Sequence, residues 1–475
     1  MKSPALPFYL LGAGIFLLFA GAPLFSNGMF LDGIWYAVVS HNMAEGLGTF
    51  WKPYMTASMY AEFYEHPPLA LGLQSLAFKV FGDSRFIERW YSLLTCILTA
   101  GLIRMIWREI SDYAHKSLAW LPILCWVLMP LVTWSAANNI LENTLMIFTA
   151  AGGWFFLRGL KGHRWVHLAG AALCFVLGFL SKGPFVGFLL AVPGCMWLLG
   201  GKISFQRAFV DTLALMGMIG AMFGLLFLIQ PQSWTFLNEY FHVQVVNSLQ
   251  NVQTVDNRFN ILYKILHECY PIIGLGVAIW LLGRKSADDY PEGSLKWAWV
   301  MLGIGLAGTL PIIISMKQRG FYLVPTFPFF AISASLIMVP YAAAIVKWLS
   351  LRKLGLRIFQ AISVAMILTG IGISIHAAGD YGRDKDRLRN IDTILEVLPY
   401  ETIVRVPKWL YQTNDIHGYF HRYDRVSLSP EEGFYPEYAI VGKGNRPEFL
   451  RFYDRVELET THYDLWKRQR EPMKE

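Results

Sequence analysis

Apolar runs long enough to cross a bilayer recur down this chain. They leave it few folds other than a bundle of membrane helices, because only helices and closed barrels satisfy their backbone inside lipid. About eleven candidate spans are read, at 8–25, 86–103, 117–135, 141–157, 165–181, 184–200, 209–230, 267–283, 297–315, 321–346 and 358–378. A straight crossing needs about 20 residues, so the ends of the shorter runs are free to shift. Pro325, Pro328 and Pro340 predict a kinked or split helix in the segment 321–346. Composition agrees: 55% of residues are hydrophobic and 16% charged, against roughly 25% charged in soluble domains. Cys96, Cys125, Cys174, Cys195 and Cys269 lie in or beside apolar runs without C-x-x-C pairing. They read as small core residues, not as a disulfide framework or a zinc site. The first run has no small-residue cleavage site and leads straight into a loop with an acid, so it reads as a span and not a signal peptide.

The loop charges orient the bundle. With Lys2 inside, alternate loops contain Arg104, Arg108 and Lys116; Arg158, Lys161 and Arg164; Lys202 and Arg207; Arg284, Lys285 and Lys296; and Lys347, Arg352, Lys353 and Arg357. All five fall on the cytoplasmic side under one threading, as the positive-inside rule requires. The net charge of +7 is thereby explained by topology, and nucleic acid is not expected as a partner. The long loop 26–85, the loop 231–266 and the tail from 379 then lie outside. A multi-pass protein of a plasma membrane, of the bacterial inner-membrane type, is the expected setting.

The tail is different material. From Asp380 the chain turns charged, with a helix expected through Leu398 and strands at Thr402–Val406, Arg425–Leu428, Tyr438–Val441 and Val456–Glu459. The expected domains are therefore 1–378, a membrane domain that includes the outer loop 26–85, and 379–475, a small soluble α/β domain. On this reading the tail folds as a self-sufficient unit.

The first outer loop holds the polar residues that most invite a function. It reads L-D-G-I-W-Y-A at 31–37 and Y-E-H-P-P-L at 64–69. Asp32 follows directly on an apolar span, where a carboxylate is costly unless it has work or a partner. The plainer reading makes Asp32 the N-cap of an amphipathic helix over 33–45. Glu65 and His66 precede Pro67-Pro68, which end one element and can start the next. Trp35, Trp51, Tyr54, Tyr60 and Tyr64 fill the interval, suited either to the membrane interface or to stacking on a bound ligand.

Taken together, this pattern resembles the polyprenyl-phosphate-dependent glycosyltransferases of GT-C type. The likeness is to the branch holding protein O-mannosyltransferases and lipid A aminoarabinose transferases, glycosyltransferase family 39. That family commonly shows Asp-Glu at the first knot and a Lys before the prolines; this chain has Asp32-Gly33 and His66. The resemblance implies a GT-C-like α-helical polytopic membrane fold, with amphipathic helices in the first outer loop, and Asp32 as the catalytic residue.

Other positions match the family while allowing plainer readings. Glu142, in N-N-I-L-E-N at 138–143, suits a helix N-terminus; the family places an acid there, near the carrier lipid. Lys182, in S-K-G-P, could snorkel, yet it faces outward against the charge bias and matches a family Lys-Gly-Pro. His242, in N-E-Y-F-H, matches a family His; Val245 and Val246 stand where an Arg usually follows, leaving Arg258 as the replacement. In M-K-Q-R-G-F-Y-L-V-P at 316–325, Lys317 and Arg319 either anchor a helix end with Phe321 and Tyr322 or grip phosphate oxygens. Glu65, His66, Glu142, Lys182, His242, Arg258, Lys317, Arg319 and Tyr322 are thus the expected substrate-binding residues. No cofactor is required on this reading. A divalent metal on Glu65, His66 and His242 is the one option, with no spacing to enforce it.

The implied reaction is inverting transfer of a sugar from a polyprenyl-phosphate donor to a hydroxyl of an envelope lipid, glycan or protein. Asp32 would act as base, and Lys182 and Arg319 would neutralise the leaving phosphate. No Gly-rich phosphate loop or D-x-D pair points to a nucleotide donor. The rivals are a transporter or flippase of a lipid-linked glycan and a membrane scaffold displaying the tail. A transporter would favour midplane charges and matched broken helices, which the sequence does not show.

Overall fold

The computed structural model describes residues 5–111, 113–246 and 252–469, so the expected inner Lys2 lies outside the described residues. The chain separates into two compact units. One comprises the chain through Leu24 with Tyr64–Ala70 and Arg89–His376; the other comprises Phe25–Phe63, Leu71–Glu88 and the tail from Ala377. The expected division near 378 assigns the loop 26–85 to the membrane part, whereas the units group most of that loop with the tail.

The first unit is helical and membrane-spanning in character. Among the described residues eight helices are long and apolar enough to cross a membrane, or nine if one bent pair counts as a span. The segment expected at 117–135 is that pair, His115–Val127 and Pro130–Ala137, bent by 75°. Pro130 causes the break: it has no N–H to continue a helix, and Met129 before it is extended. A neighbouring helix, Asn260–Gly283, serves the new N-terminus, with Leu131 N–H donating to the buried Glu268 carboxylate at 2.8 Å. The segment expected at 184–200 is a 3₁₀ helix, Pro184–Ala191, running into the short helix Val192–Leu198. Helix Leu141–Gly159 has Glu142 and Asn143 buried in its first turns and is not among the eight. At 321–346 the proline-rich run is split as expected, into a 3₁₀ helix Gly320–Thr326 and helix Phe327–Leu351.

Polar side chains tie these helices together where hydrophobicity cannot discriminate. Asn143 donates to Ser92 Oγ and to the Ser135 carbonyl, each at 2.9 Å. Several cations counted in the inner loops find acids: Arg164 lies 2.6 Å from the buried Asp211, and Lys161 lies 2.7 Å from Glu109. All five cysteines are free thiols, Cys96, Cys125 and Cys174 buried.

The second unit is α/β. It holds a two-stranded ribbon of β1 (Gly48–Thr49) and β2 (Lys52–Pro53). Its five-stranded sheet contains β3 (Ile403–Arg405), β4 (Ser427–Ser429), β5 (Tyr438–Gly442), β6 (Tyr453–Val456) and β7 (Tyr463–Arg468). Strand order is β4-β3-β5-β7-β6. β3 runs parallel to β4 and β5, and β7 runs antiparallel to β5 and β6, with Ala439 opposite Trp466. Helix Lys385–Leu395 buries Leu388, Ile391, Ile394 and Leu395, the stripe of a helix packed on one face.

The expectation of a self-sufficient tail does not hold in full. Met29 and Ile34 are buried in the same apolar cluster as Leu388, Ile391, Val404, Tyr419, Phe420 and Leu465. Ile34 comes from helix Leu31–Ala44, which therefore packs as part of this unit. Phe30, extended at φ −60° and ψ 144°, is the N-cap of that helix. Asp32 sits inside its first turn and is not the cap.

Candidate active site

The first unit contains a cavity of about 350 Å³ whose polar lining is built from several distant segments. Lys182 reaches it at the end of helix Arg164–Lys182. The helix stops there because Gly183 turns left-handed, at φ +79°. A Cβ on Gly183 would also lie 2.0 Å from the Tyr240 hydroxyl, so both conformation and space require glycine. Pro184, suited to a first helical position, then opens the next turn. Lys182 is buried, with its ammonium 3.2 Å from Glu142 Oε1. Two charges removed from water are tolerable when each neutralises the other.

A second cation arrives from the segment before Gly320. Lys317 Nζ donates to Gln244 Oε1 at 2.9 Å, and the amide of Gln244 donates in turn to the Glu65 carboxylate. Gln244 can bridge cation and anion because a primary amide both accepts and donates. It sits in a π-helical turn, Phe241–Val246, a geometry common at functional sites. His66, Tyr240, Ser315 and Tyr322 add to the polar lining, and Phe185, Phe188, Pro311 and Ile312 form much of the apolar wall. Phe185 packs on the Tyr322 ring at 4.8 Å between centroids. Burial, with the charges of Lys182 and Lys317 added, holds the His66 imidazole well below its ordinary pKa of 6.5. The cationic side chains lining the cavity are thus Lys182 and Lys317. An apolar chamber with two cations suits an amphiphile with an anionic head.

The comparisons with known proteins fit this architecture. A family profile described as dolichyl-phosphate-mannose-protein mannosyltransferase matches residues 65–234. An undecaprenyl phosphate-alpha-4-amino-4-deoxy-L-arabinose arabinosyl transferase of Yersinia pestis (strain Pestoides F) is 24% identical over 372 residues, 72% of this chain and 60% of that protein. The arabinosyl transferase 1 of Proteus mirabilis is 26% identical over 280 residues, 56% of this chain and 47% of the relative. The crystal structure of ArnT from Cupriavidus metallidurans bound to undecaprenyl phosphate superposes with a TM-score of 0.66 at 15% identity, covering 97% of both chains. The chain is thus similar to these transferases over part of its sequence and shares the ArnT fold. An Archaeoglobus fulgidus oligosaccharyltransferase, AglB, solved with an inhibitory peptide and a dolichol-phosphate, shares the fold more distantly. Its TM-score is 0.51 at 12% identity, over 92% of this chain and 69% of that one. The chain spans only 60% of the length of the Yersinia relative.

Several residues expected in the glycosyltransferase site meet at the cavity. His66, Lys182, Lys317 and Tyr322 line it, and Glu65 and Glu142 stand one contact behind, on Gln244 and Lys182. Three others are exposed and do not line it. His242 packs edge-on against Phe241 at 6.1 Å, Arg258 donates to the Ile314 carbonyl at 3.3 Å, and Arg319 is extended at φ −114° and ψ 143°. Among the described residues no three His, Cys, Asp or Glu side chains converge as metal ligands. The set Glu65, His66 and His242 is thus not assembled, and Glu65 is engaged by Gln244 instead. Asp32 belongs to the second unit, partly buried in the first turn of helix Leu31–Ala44. Two lining residues, Gln244 and Tyr240, were not expected. Neither is charged, so the charge-against-bias argument that exposed Lys182 and Lys317 could not find them.

Proposed function

We propose that this chain is a glycosyltransferase of GT-C type that transfers a sugar, with inversion, from a polyprenyl-phosphate donor to an acceptor hydroxyl on the extracytoplasmic face. The observation that carries the reading is the cavity, with its two ammonium groups set in a largely apolar wall. Such a wall suits a prenyl chain, and the ammonium groups suit its phosphate. The name of the Yersinia relative and the lipid phosphates bound in the ArnT and AglB structures support the same donor class.

The acceptor oxygen attacks the anomeric carbon as the bond from that carbon to the phosphate oxygen breaks. The electron pair leaves on the polyprenyl phosphate, and the acceptor proton passes to the Asp32 carboxylate. Lys182 and Lys317 stabilise the charge that grows on the departing phosphate. Lys317 takes this role in place of Arg319, since Lys317 is the one that lines the cavity.

Purified protein incubated with polyprenyl-phosphate sugars and an envelope acceptor extract tests the reading by mass spectrometry. The acceptor should gain the mass of one sugar as an equal amount of free polyprenyl phosphate appears. Movement of intact donor across proteoliposomes without transfer would instead favour a transporter. Sidedness rests on the five basic loops. Single cysteines at 32, 182 and 317 and in the tail should all label from the non-cytoplasmic side. Opposite labelling of 32 and 182 would remove the reading.

A further inference from the structure

The second unit joins the tail to the helix that carries Asp32 through an unusually direct set of contacts. Helix Asn414–Asp424 packs on helix Leu31–Ala44. At the crossing, a Cβ on Gly418 would lie 2.7 Å from Ile34 Cγ2 and 3.1 Å from Trp35 Cδ1. Only glycine permits that approach without displacing its neighbours. The next residue, the fully buried Tyr419, grips the chain just ahead of Asp32. Its hydroxyl accepts from Met29 N–H at 3.2 Å, and its proton is aimed at the Met29 carbonyl at 2.9 Å and the Asp384 carboxylate at 3.0 Å. On the other side of Asp32, the Trp35 indole donates to the Asn414 carbonyl at 3.0 Å. Met29, Ile34 and Trp35 are thus all fixed by one tail helix, and they bracket Asp32 on both sides. Burial, with Asp384 close by, pushes the Tyr419 phenol pKa up, so the hydroxyl keeps its proton.

We propose that Gly418 and Tyr419 are positioning residues for Asp32, and that the tail sets the placement of the base. This inference rests on the reading of Asp32 as general base. A catalytic group displaced by about 1 Å can lose about 10²-fold in rate without touching substrate. The contacts here act on the three residues that determine where the first turn begins and how it is rotated.

The test compares Tyr419→Phe, which keeps the ring packing and removes the hydroxyl, with Gly418→Val, which forces the two helices apart. Full-length purified protein is used, with a polyprenyl-phosphate sugar as donor. Gly418→Val should lower kcat by about 10²-fold and Tyr419→Phe by less, while KM for the donor stays within twofold. The deciding measurement places each substitution on an Asp32→Asn background. If the tail acts through Asp32, the double variants should be no slower than Asp32→Asn alone, a full loss of additivity. Multiplying losses in the double variants would overturn the inference, as would wild-type kcat in a folded Tyr419→Phe and a folded Gly418→Val. If Gly418→Val fails to fold, Tyr419→Phe and its double variant decide. Asp32→Asn alone reports separately on the base: wild-type rate there sinks the underlying reading, whereas a slow Asp32→Asn with fast Tyr419→Phe sinks only the inference.

Discussion

Asp32→Asn is expected to lower sugar transfer by roughly 10²–10⁴-fold, the usual contribution of a general base, while donor binding persists. The amide keeps the size of the carboxylate and most of its hydrogen bonding but cannot take the acceptor proton. The residue sits in the first turn of helix Leu31–Ala44, behind an N-cap supplied by Phe30. The substitution therefore removes, among other contacts, a favourable charge–dipole interaction of about 0.3–1 kcal/mol, and a melting curve of the variant checks that the fold is kept. Turnover with saturating donor, together with donor affinity by titration, separates the two effects. A variant that transfers sugar at the wild-type rate would leave the proposed mechanism without its base. A transporter or scaffold has no need of one, so the same measurement discriminates among the three functions considered.

The second large effect is expected at Lys182, and there binding and stability should fall together. Its ammonium lies 3.2 Å from Glu142, and both side chains are almost wholly buried. Removing one member of a buried pair typically costs about 3–5 kcal/mol, because the other charge stays behind in low dielectric. Lys182→Met should therefore lower the melting temperature clearly and also weaken donor binding, since a cation that meets the leaving phosphate is gone. Adding Glu142→Gln should restore most of the stability, because the orphaned charge is then removed too. It should not restore donor affinity or turnover. Recovery of activity along with stability would mean that Lys182 serves the fold and not the phosphate.

The membrane helices were legible because a run of apolar residues long enough to span lipid has few other uses. The exceptions have local causes. Around 117–137 an unbroken hydrophobic pattern hides the bend, which only Met129-Pro130 betrays. In the tail, β5 is buried along its whole length and gives no alternation, but its apolar run was readable. Helix Asn414–Asp424 was not expected, since Gly418 lowers its intrinsic preference and its polar residues His417, His421 and Arg422 are buried along with the apolar ones. Strand β7 was missed, and the strand expected at 456–459 lies earlier, at Tyr453–Val456. In the site, charge against the positive-inside bias singled out Lys182 and Lys317, both of which line the cavity. It could not distinguish Lys317 from Arg319, two positions apart with the same sign, since only the fold decides which of them meets the cavity. Nor could spacing reveal that Lys317, Gln244 and Glu65 form one chain of contacts, because no local pattern links segments so far apart.

The grip of Tyr419 on Met29 spans 390 residues of sequence, and that separation matters while the protein is being made. At about 5–20 residues per second, a ribosome needs roughly 20–80 s to travel from one to the other. Throughout that interval the nascent chain already displays the helix bearing Asp32 without the partner that completes its apolar cluster. Chains ended prematurely, however well their membrane helices insert, would never acquire it. The helix bearing Asp32 is in this sense made first and completed last, when helix Asn414–Asp424 arrives.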